Sequence, residues 1–150
     1  MWLLRGVRKA RWADRDADDP AHVEEAARDV SLRADEDGLS VFEVLDEEDG
    51  RRVATWLGVQ KTLVRGRSVP LDYLLIPPDV FATLGLSVVP VSDPSLGPEL
   101  SERHREVKGL TPASSQRLAA TLLREKRFRL DRIPRQDIDR SARDSSQADG

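Results

Sequence analysis

The pattern of apolar and polar positions divides the chain into short strands and amphipathic helices. Apolar, β-branched runs bounded by turn residues predict strands over residues 1–12, 39–45, 62–64, 71–76 and 86–91. Apolar residues at helical spacing, together with Asp-Pro and Thr-Pro starts and glycine stops, predict helices over 20–30, 46–57, 78–84, 98–108 and from 111 to about 123. Strands and helices therefore intermingle along the chain.

This order of elements favours an α+β fold, in which a small mixed sheet of about four or five strands carries helices packed on it. The length of 150 residues fits one compact domain, which we assign to residues 1–134. Residues 135–150 contain one large aliphatic side chain, Ile138. Because such a polar segment buries too little apolar surface to offset the entropy of ordering, we predict a disordered C-terminal tail there.

The composition excludes several classes of protein. The absence of cysteine excludes disulfide frameworks, zinc ribbons, iron–sulfur clusters and thiol catalysis. The longest strongly apolar stretches span about six residues, against roughly 18 for a membrane helix, and the bases that follow Leu4 do not fit a signal peptide. We therefore expect a cytoplasmic protein without membrane attachment. The scattered glycines form neither a phosphate loop nor a dinucleotide fingerprint, so we expect no cofactor.

Catalytic and metal-binding motifs are absent from the sequence. His22 and His104 stand far apart in charged segments, without a second histidine at ligand spacing, and both are expected at the surface. No serine lies in a glycine-flanked elbow, and no motif links a serine to either histidine. We predict no catalytic residue and no bound metal.

One short pattern resembles an enzyme family. Pro78 and Asp79, followed 27 residues later by Glu106, Val107 and Lys108, resemble the metal-dependent nucleases named for this Pro-Asp and Glu-x-Lys order. The resemblance implies acids that hold magnesium and a lysine that helps to activate water. The chain departs from the family because Asp79 opens a predicted helix and Glu106 follows a hydrophilic segment. A small metal-dependent nuclease-like enzyme is the third interpretation of the sequence.

Segregated charge favours an interaction function. Residues 13–49 carry fifteen acids and three bases, whereas residues 103–135 carry ten bases and three acids. Complementary charge steers protein association, and tryptophan and arginine are enriched in binding hot spots. We therefore predict a non-catalytic, bacterial-type module that binds another protein as an accessory, adaptor, inhibitor or immunity-type subunit. The predicted contact residues are Trp2, Arg5, Arg8, Lys9, Arg11 and Trp12; the alternative for the two tryptophans is core packing.

The basic region 103–135 supports a second interpretation. A nucleic-acid-binding accessory protein would direct its cations at phosphates, with Phe128 among them. The residues assigned to that role are Arg117, Arg124, Lys126, Arg127, Arg129 and Arg132. The acidic region of the same small chain opposes this interpretation, because it repels a phosphate backbone.

Overall fold

The computed structural model describes residues 1–7, 12–33 and 36–148. The strands are β1 (Trp2–Val7), β2 (Leu39–Val44), β3 (Leu71–Ile76), β4 (Ser87–Pro90), β5 (His104–Lys108) and β6 (Arg129–Ile133). The helices are α1 (Pro20–Asp29), α2 (Glu47–Arg65), α3 (Pro78–Thr83), α4 (Pro98–Arg103), α5 (Pro112–Glu125) and α6 (Arg135–Ala148), with a short 3-10 turn at Trp12–Asp14. No helix among the described residues is long and apolar enough to cross a membrane.

The strands form one sheet in the order β4-β5-β2-β1-β3-β6, and its described pairings are all antiparallel. The predicted α+β class, with helices packed on a small sheet, is confirmed. The sheet has six strands rather than the predicted four or five, and its described pairings are antiparallel rather than mixed. The two strands that sequence analysis missed are β5, which lay inside a predicted helix, and β6, which had no prediction.

Helices cover both faces of the sheet. Side chains alternate between faces along a strand, so Leu3 joins a core with α1 and α5, whereas Leu4 joins a core with α2 and α6. The six residues of β3 are all buried, as expected for a strand covered on both sides. The exposed residues of the sheet lie mainly on its edge strands, β4 and β6.

Helix α2 is longer than its sequence pattern predicted. The helix continues past Gly58, and residues 62–64 belong to its last turn instead of forming a strand. It ends at Gly66, whose φ of 78° is the left-handed conformation typical of a helix C-cap. Gly58 has a packing role: a β-carbon at this position would lie 2.7 Å from Ile138 Cδ1. The missing side chain is what lets α6 approach α2.

The C-terminal segment is a helix rather than the expected disordered tail as far as Ala148. Ile138 is fully buried in the core shared with α2. Polar contacts add to this anchor, since Ser68 donates to Asp139 and Arg51 forms an ion pair with Asp137 at 3.5 Å. The prediction was wrong because it relied on the number of apolar residues in the segment. The single isoleucine packs against Gly58 and anchors the helix.

The predicted helix over 98–108 is wrong beyond Arg103. Helix α4 ends there, and the chain continues as β5, which fills the place between β2 and β4. Val107 is buried between half-buried Glu106 and Lys108, and it lies opposite Leu39 on β2 and Val88 on β4. The change from helix to strand occurs at His104 and moves that histidine from a predicted surface helix onto the sheet.

Candidate functional site

A cavity opens at one end of the sheet. The register of β1 with β2 runs from Trp2 opposite Val44 to Leu4 opposite Phe42, while β1 follows β3 as far as Val7. A space of about 550 Å³ lies beside residues 5–7, where β1 is no longer paired with β2. We call it the cleft; described residues that line it include Gly6, Ser40, Phe42, Leu57, Gly58, Lys61, Arg65, Leu71, Asp93 and Leu96.

Ser40 and His104 meet beside the cleft. Ser40 Oγ lies 2.5 Å from His104 Nε2, and His104 Nδ1 lies 2.8 Å from the carbonyl oxygen of Val91. A carbonyl oxygen can only accept, so Nδ1 carries a hydrogen. In the neutral form of the ring, Nε2 is then an acceptor to which the Ser40 hydroxyl donates. A hydroxyl, an imidazole and an acceptor that orients the ring form the arrangement that activates serine nucleophiles.

Strand pairing produces this contact. In the β2–β5 register Phe42 lies opposite His104, and Ser40 is two residues along β2, hence on the same face of the sheet. The Phe42 and His104 rings are 5.5 Å apart between centroids. His104 is 3% exposed, whereas Ser40 is half-buried and lines the cleft. The imidazole is thus shielded from solvent while its hydroxyl partner borders the cavity.

Asp93 places a negative charge near this pair. Its carboxylate accepts hydrogen bonds from Ser95 Oγ at 2.6 Å and from the Ser95 backbone N–H at 3.0 Å. The Ser95 hydroxyl bond above all, with the backbone bond and nearby His104, holds the pKa of Asp93 below its usual range. Asp93 therefore stays ionised at neutral pH.

The cleft wall is rich in charge of both signs. Its described acids are Asp29, Glu36, Asp72 and Asp93, and its described bases are Arg5, Arg28, Arg33, Lys61 and Arg65. Two of the acids are held within the fold, since Arg132 binds Asp72 through two bonds of 2.7 and 3.2 Å and Trp12 Nε1 donates to Asp29 at 2.8 Å. On the α2 side of the cleft, the charged residues of the described lining are Lys61 and Arg65.

The described residues among those predicted to bind a partner, Trp2, Arg5 and Trp12, do not form one surface. Trp12 is fully buried, with Arg15 over its ring at 5.7 Å, so it cannot act as an exposed anchor and the alternative of core packing applies. Arg5 lies at the cleft and donates to the Ser40 carbonyl oxygen at 3.0 Å. Trp2 is half-buried at the other end of β1. The remaining three, Arg8, Lys9 and Arg11, lie outside the described residues.

The basic residues assigned to nucleic-acid binding are largely engaged within the chain. Arg127 pairs with Asp79 at 2.7 Å, Arg129 with Glu47 at 3.2 Å, and Arg132 with Asp72 at 2.7 Å. The Lys126 amine donates to the Arg15 carbonyl oxygen at 2.9 Å. Arg117 and Arg124 are exposed on α5. Four of the six residues predicted to bind nucleic acid therefore have partners within the protein.

The nuclease-like residues are bound in separate ion pairs. Asp79, at the start of α3, binds Arg127, while Lys108 binds Glu106 at 2.7 Å and Asp37 at 3.2 Å. Glu106 and Lys108 do lie on a strand, contrary to the helix predicted for them. Within the part of the chain that the structure describes, no three acids or histidines group as metal ligands.

The opposite end of the sheet is apolar outside and charged inside. Met1 and Leu45 are 58% and 70% exposed, and the Trp2–Val44 register places them side by side; with Trp2 they form what we call the apolar end. Beneath it, the carboxylate of Asp49 accepts from the Leu45 N–H at 2.8 Å and from Arg103 at 2.5 Å. The Arg103 hydrogen bond holds the pKa of Asp49 below its usual range.

Sequence analysis missed the Ser40–His104 pair. The two residues are 64 positions apart, and the expectation that His104 lies on the surface is wrong because it is buried. No alternating pattern in residues 104–108 identifies β5, because Val107 is their single apolar side chain. Comparison with known proteins finds no match: no family model fits the chain, and neither a curated protein nor a solved structure is significantly similar to it.

Proposed function

We propose that the protein is a hydrolase that cleaves a small ester in the cleft, with Ser40 as nucleophile and His104 as general base. One observation carries the proposal: the hydrogen-bonded series from Ser40 through His104 to the Val91 carbonyl, placed beside a cavity of about 550 Å³. A cavity of this size suits a small molecule. Phe42 and Leu57 supply apolar wall for its carbon atoms.

The proposed reaction has two steps. Ser40 Oγ attacks the ester carbonyl carbon while its proton passes to His104 Nε2. The bond from that carbon to the leaving oxygen then breaks, and the imidazolium returns the proton to the leaving alcohol. In the second step, water attacks the acyl-Ser40 ester with His104 again as base, which releases the acid and restores the hydroxyl. Val91 holds the Nδ1 hydrogen throughout, and Asp93 stabilises the transient imidazolium.

Labelling with a fluorophosphonate tests the nucleophile directly. An activated serine displaces fluoride from phosphorus and gains a stable phosphonyl group, which mass spectrometry of a peptide digest locates. We expect one adduct on Ser40, none in Ser40→Ala, and a much slower reaction in His104→Gln. Ser87→Ala, at an exposed serine on β4, is the matched control and should label like the wild type. An unlabelled wild type, or equal labelling of Ser40→Ala, would refute the proposal.

We propose a second function for the apolar end, in line with the interaction module predicted from the sequence. The observation in its favour is the pair of exposed side chains Met1 and Leu45 beside a shallow pocket of about 240 Å³ lined by Leu45, Arg103 and Arg105. Exposed apolar groups bordered by charge are typical of protein-binding surfaces. The partner would place an apolar side chain against Leu45.

A pull-down from the native cells, with nuclease added, tests this second function. A protein retained by the wild type and by Arg124→Gln, but lost with Leu45→Glu, would support it. Equal retention by both variants would place the contact elsewhere. Nucleic acid recovered without a protein when nuclease is omitted would favour the basic region instead, through binding that weakens steeply with salt.

A further inference from the structure

We propose that Arg5 is a positioning residue for the proposed hydrolase, because its guanidinium group holds the backbone of Ser40 at the place where strand β1 has left β2. The inference rests on the proposed function and adds the residue that keeps the Ser40 hydroxyl within reach of His104. Arg5 lines the cleft but takes no part in the proposed proton transfers, so it acts on the reaction through Ser40.

The Ser40 backbone has lost its strand partner on the β1 side. The register of β1 with β2 ends at Leu4 opposite Phe42. Its continuation would bring Gly6 opposite Ser40, because antiparallel strands run in opposite directions, but the described pairing stops before that point. On the other side, Ser40 lies opposite Glu106 of β5. The sheet therefore holds the nucleophile on one side, and the cleft borders the other.

Arg5 supplies a contact on the open side. Its Nη1 donates to the carbonyl oxygen of Ser40 at 3.0 Å, and its Nε donates to the carbonyl oxygen of Asp29 at 3.1 Å. A guanidinium group suits this place because its donors point in fixed directions within one plane, so a single side chain can hold two acceptors. The side chain thus links β2 to the end of α1.

The α1 end of this link is fixed inside the fold. Asp29 is the last residue of α1 and is buried. Its carboxylate accepts from Nε1 of the fully buried Trp12 at 2.8 Å. Arg5 itself lies opposite Leu74 in the fully buried strand β3. Because both the side chain and its first acceptor are anchored in this way, the guanidinium group restricts the movement of Ser40.

The position of Ser40 determines the rate of the proposed reaction. Its Oγ lies 2.5 Å from His104 Nε2, and a displacement of a reacting group by about 1 Å can slow a reaction by about 10². Ser40 and Asp29, whose carbonyl groups Arg5 holds, both line the cleft, so water can hydrate those groups when the guanidinium is removed. Loss of Arg5 should therefore lower kcat more than it lowers the stability of the fold.

Steady-state kinetics with 4-nitrophenyl butyrate test the inference. We expect Arg5→Ala to lower kcat by about 10-fold to 100-fold, with KM within about twofold of the wild type, and to slow fluorophosphonate labelling of Ser40 to a similar extent. Added methylguanidinium at roughly 50 mM, far below denaturing concentrations, should restore part of kcat in Arg5→Ala. Arg5→Lys should lie between Arg5→Ala and the wild type, because an ammonium group lacks the planar fork.

Ser115→Ala is the matched control. The buried Ser115 hydroxyl donates to the carbonyl oxygen of Val30 at 3.2 Å. The variant therefore removes a side-chain bond to a backbone carbonyl next to Asp29 without removing a contact of Ser40. It should keep the kcat of the wild type and show no response to methylguanidinium.

The possible results separate the inference from the function beneath it. Wild-type kcat in Arg5→Ala, or an equal fall of kcat in Ser115→Ala, overturns the positioning role and leaves the hydrolase intact. Absence of Ser40-dependent hydrolysis, together with absence of the Ser40 adduct, overturns the hydrolase and the inference with it. If circular dichroism shows that Arg5→Ala is unfolded, Arg5→Lys takes its place: a lower kcat with unchanged KM supports the positioning role, and a wild-type kcat contradicts it.

Discussion

The two ends of the sheet place charge in opposite ways. At the cleft end β1 and β2 part beyond Leu4, and polar side chains such as Ser40, Lys61 and Arg65 border a cavity. At the apolar end the strands stay paired as far as Trp2, aliphatic side chains are exposed, and the charge of Asp49 is buried beneath them.

Because of this difference, we expect the cleft end to determine activity and the apolar end to contribute to the stability of the fold. A charge buried inside the fold must be matched by partners within the chain, and Asp49 has Arg103 and the Leu45 N–H. A charge on a cavity wall can instead be matched by a ligand. Substitutions at the cleft end should therefore change activity with small changes in stability, and substitutions beneath the apolar end should do the reverse.

The largest expected effect is on the rate of hydrolysis when the Ser40–His104 pair is changed. We expect His104→Gln to lower kcat for 4-nitrophenyl butyrate by about 10² to 10⁴, the usual contribution of a general base. Combining it with Ser40→Ala should add little, since residues that act as a unit are not additive. Steady-state rates of the two single variants and the double variant measure this. Equal rates in His104→Gln and the wild type would contradict the role of His104 as a general base.

Removing Asp49 should give the largest loss of stability. Asp49→Ala leaves the Arg103 guanidinium and the Leu45 N–H without their acceptor, and we expect the free energy of unfolding to fall by about 2 to 4 kcal/mol. Urea denaturation followed by tryptophan fluorescence measures it. Asp46→Ala, at the helix N-cap beside it, serves as a comparison and should cost about 1 kcal/mol. If Asp49→Ala cost no more stability than Asp46→Ala, the Asp49–Arg103 pair would not stabilise the apolar end.

The contribution of Asp49 should disappear in acid. The pKa of Asp49 in the folded protein is below that of an ordinary aspartate, chiefly because Arg103 donates to it. The unfolded chain therefore binds the proton more readily, so the stabilisation is complete above about pH 5 and is lost as the pH falls through the folded pKa. The difference in unfolding free energy between the wild type and Asp49→Asn should narrow below pH 4. A constant difference from pH 7 to pH 3 would contradict this assignment.

Exposed positions at both ends should show the smallest changes in stability. Leu45→Ser and Arg65→Gln alter side chains that reach solvent, and we expect the free energy of unfolding to stay within about 0.5 kcal/mol of the wild type. The two variants should still differ in function, because we expect Leu45→Ser to weaken partner capture and Arg65→Gln to leave it unchanged. Capture that is lost in Arg65→Gln and kept in Leu45→Ser would place the partner-binding surface at the cleft end.

Local patterns predicted well the elements that hold their own signals. The Asp19–Pro20 start of α1 and the Thr111 cap of α5 lie where the sequence placed them, because a capping side chain acts within one turn. Gly58 was misjudged because its role depends on α6, which is far away in the chain. The candidate site escaped prediction for the same reason: neither Ser40 nor His104 has a neighbour in sequence that marks it.

The sequence by itself determined the α+β class, the absence of thiol chemistry, most helix starts and the apolar segments of the central strands, since these depend on composition and on short-range spacing. Tertiary structure alone decided that His104 lies on a strand beside Ser40, that Trp12 is buried, and that a single isoleucine docks the C-terminal helix. These outcomes depend on which strands pair and which helices touch. Strand pairing brings together residues that are tens of positions apart in the sequence. No short-range pattern specifies which strands will pair.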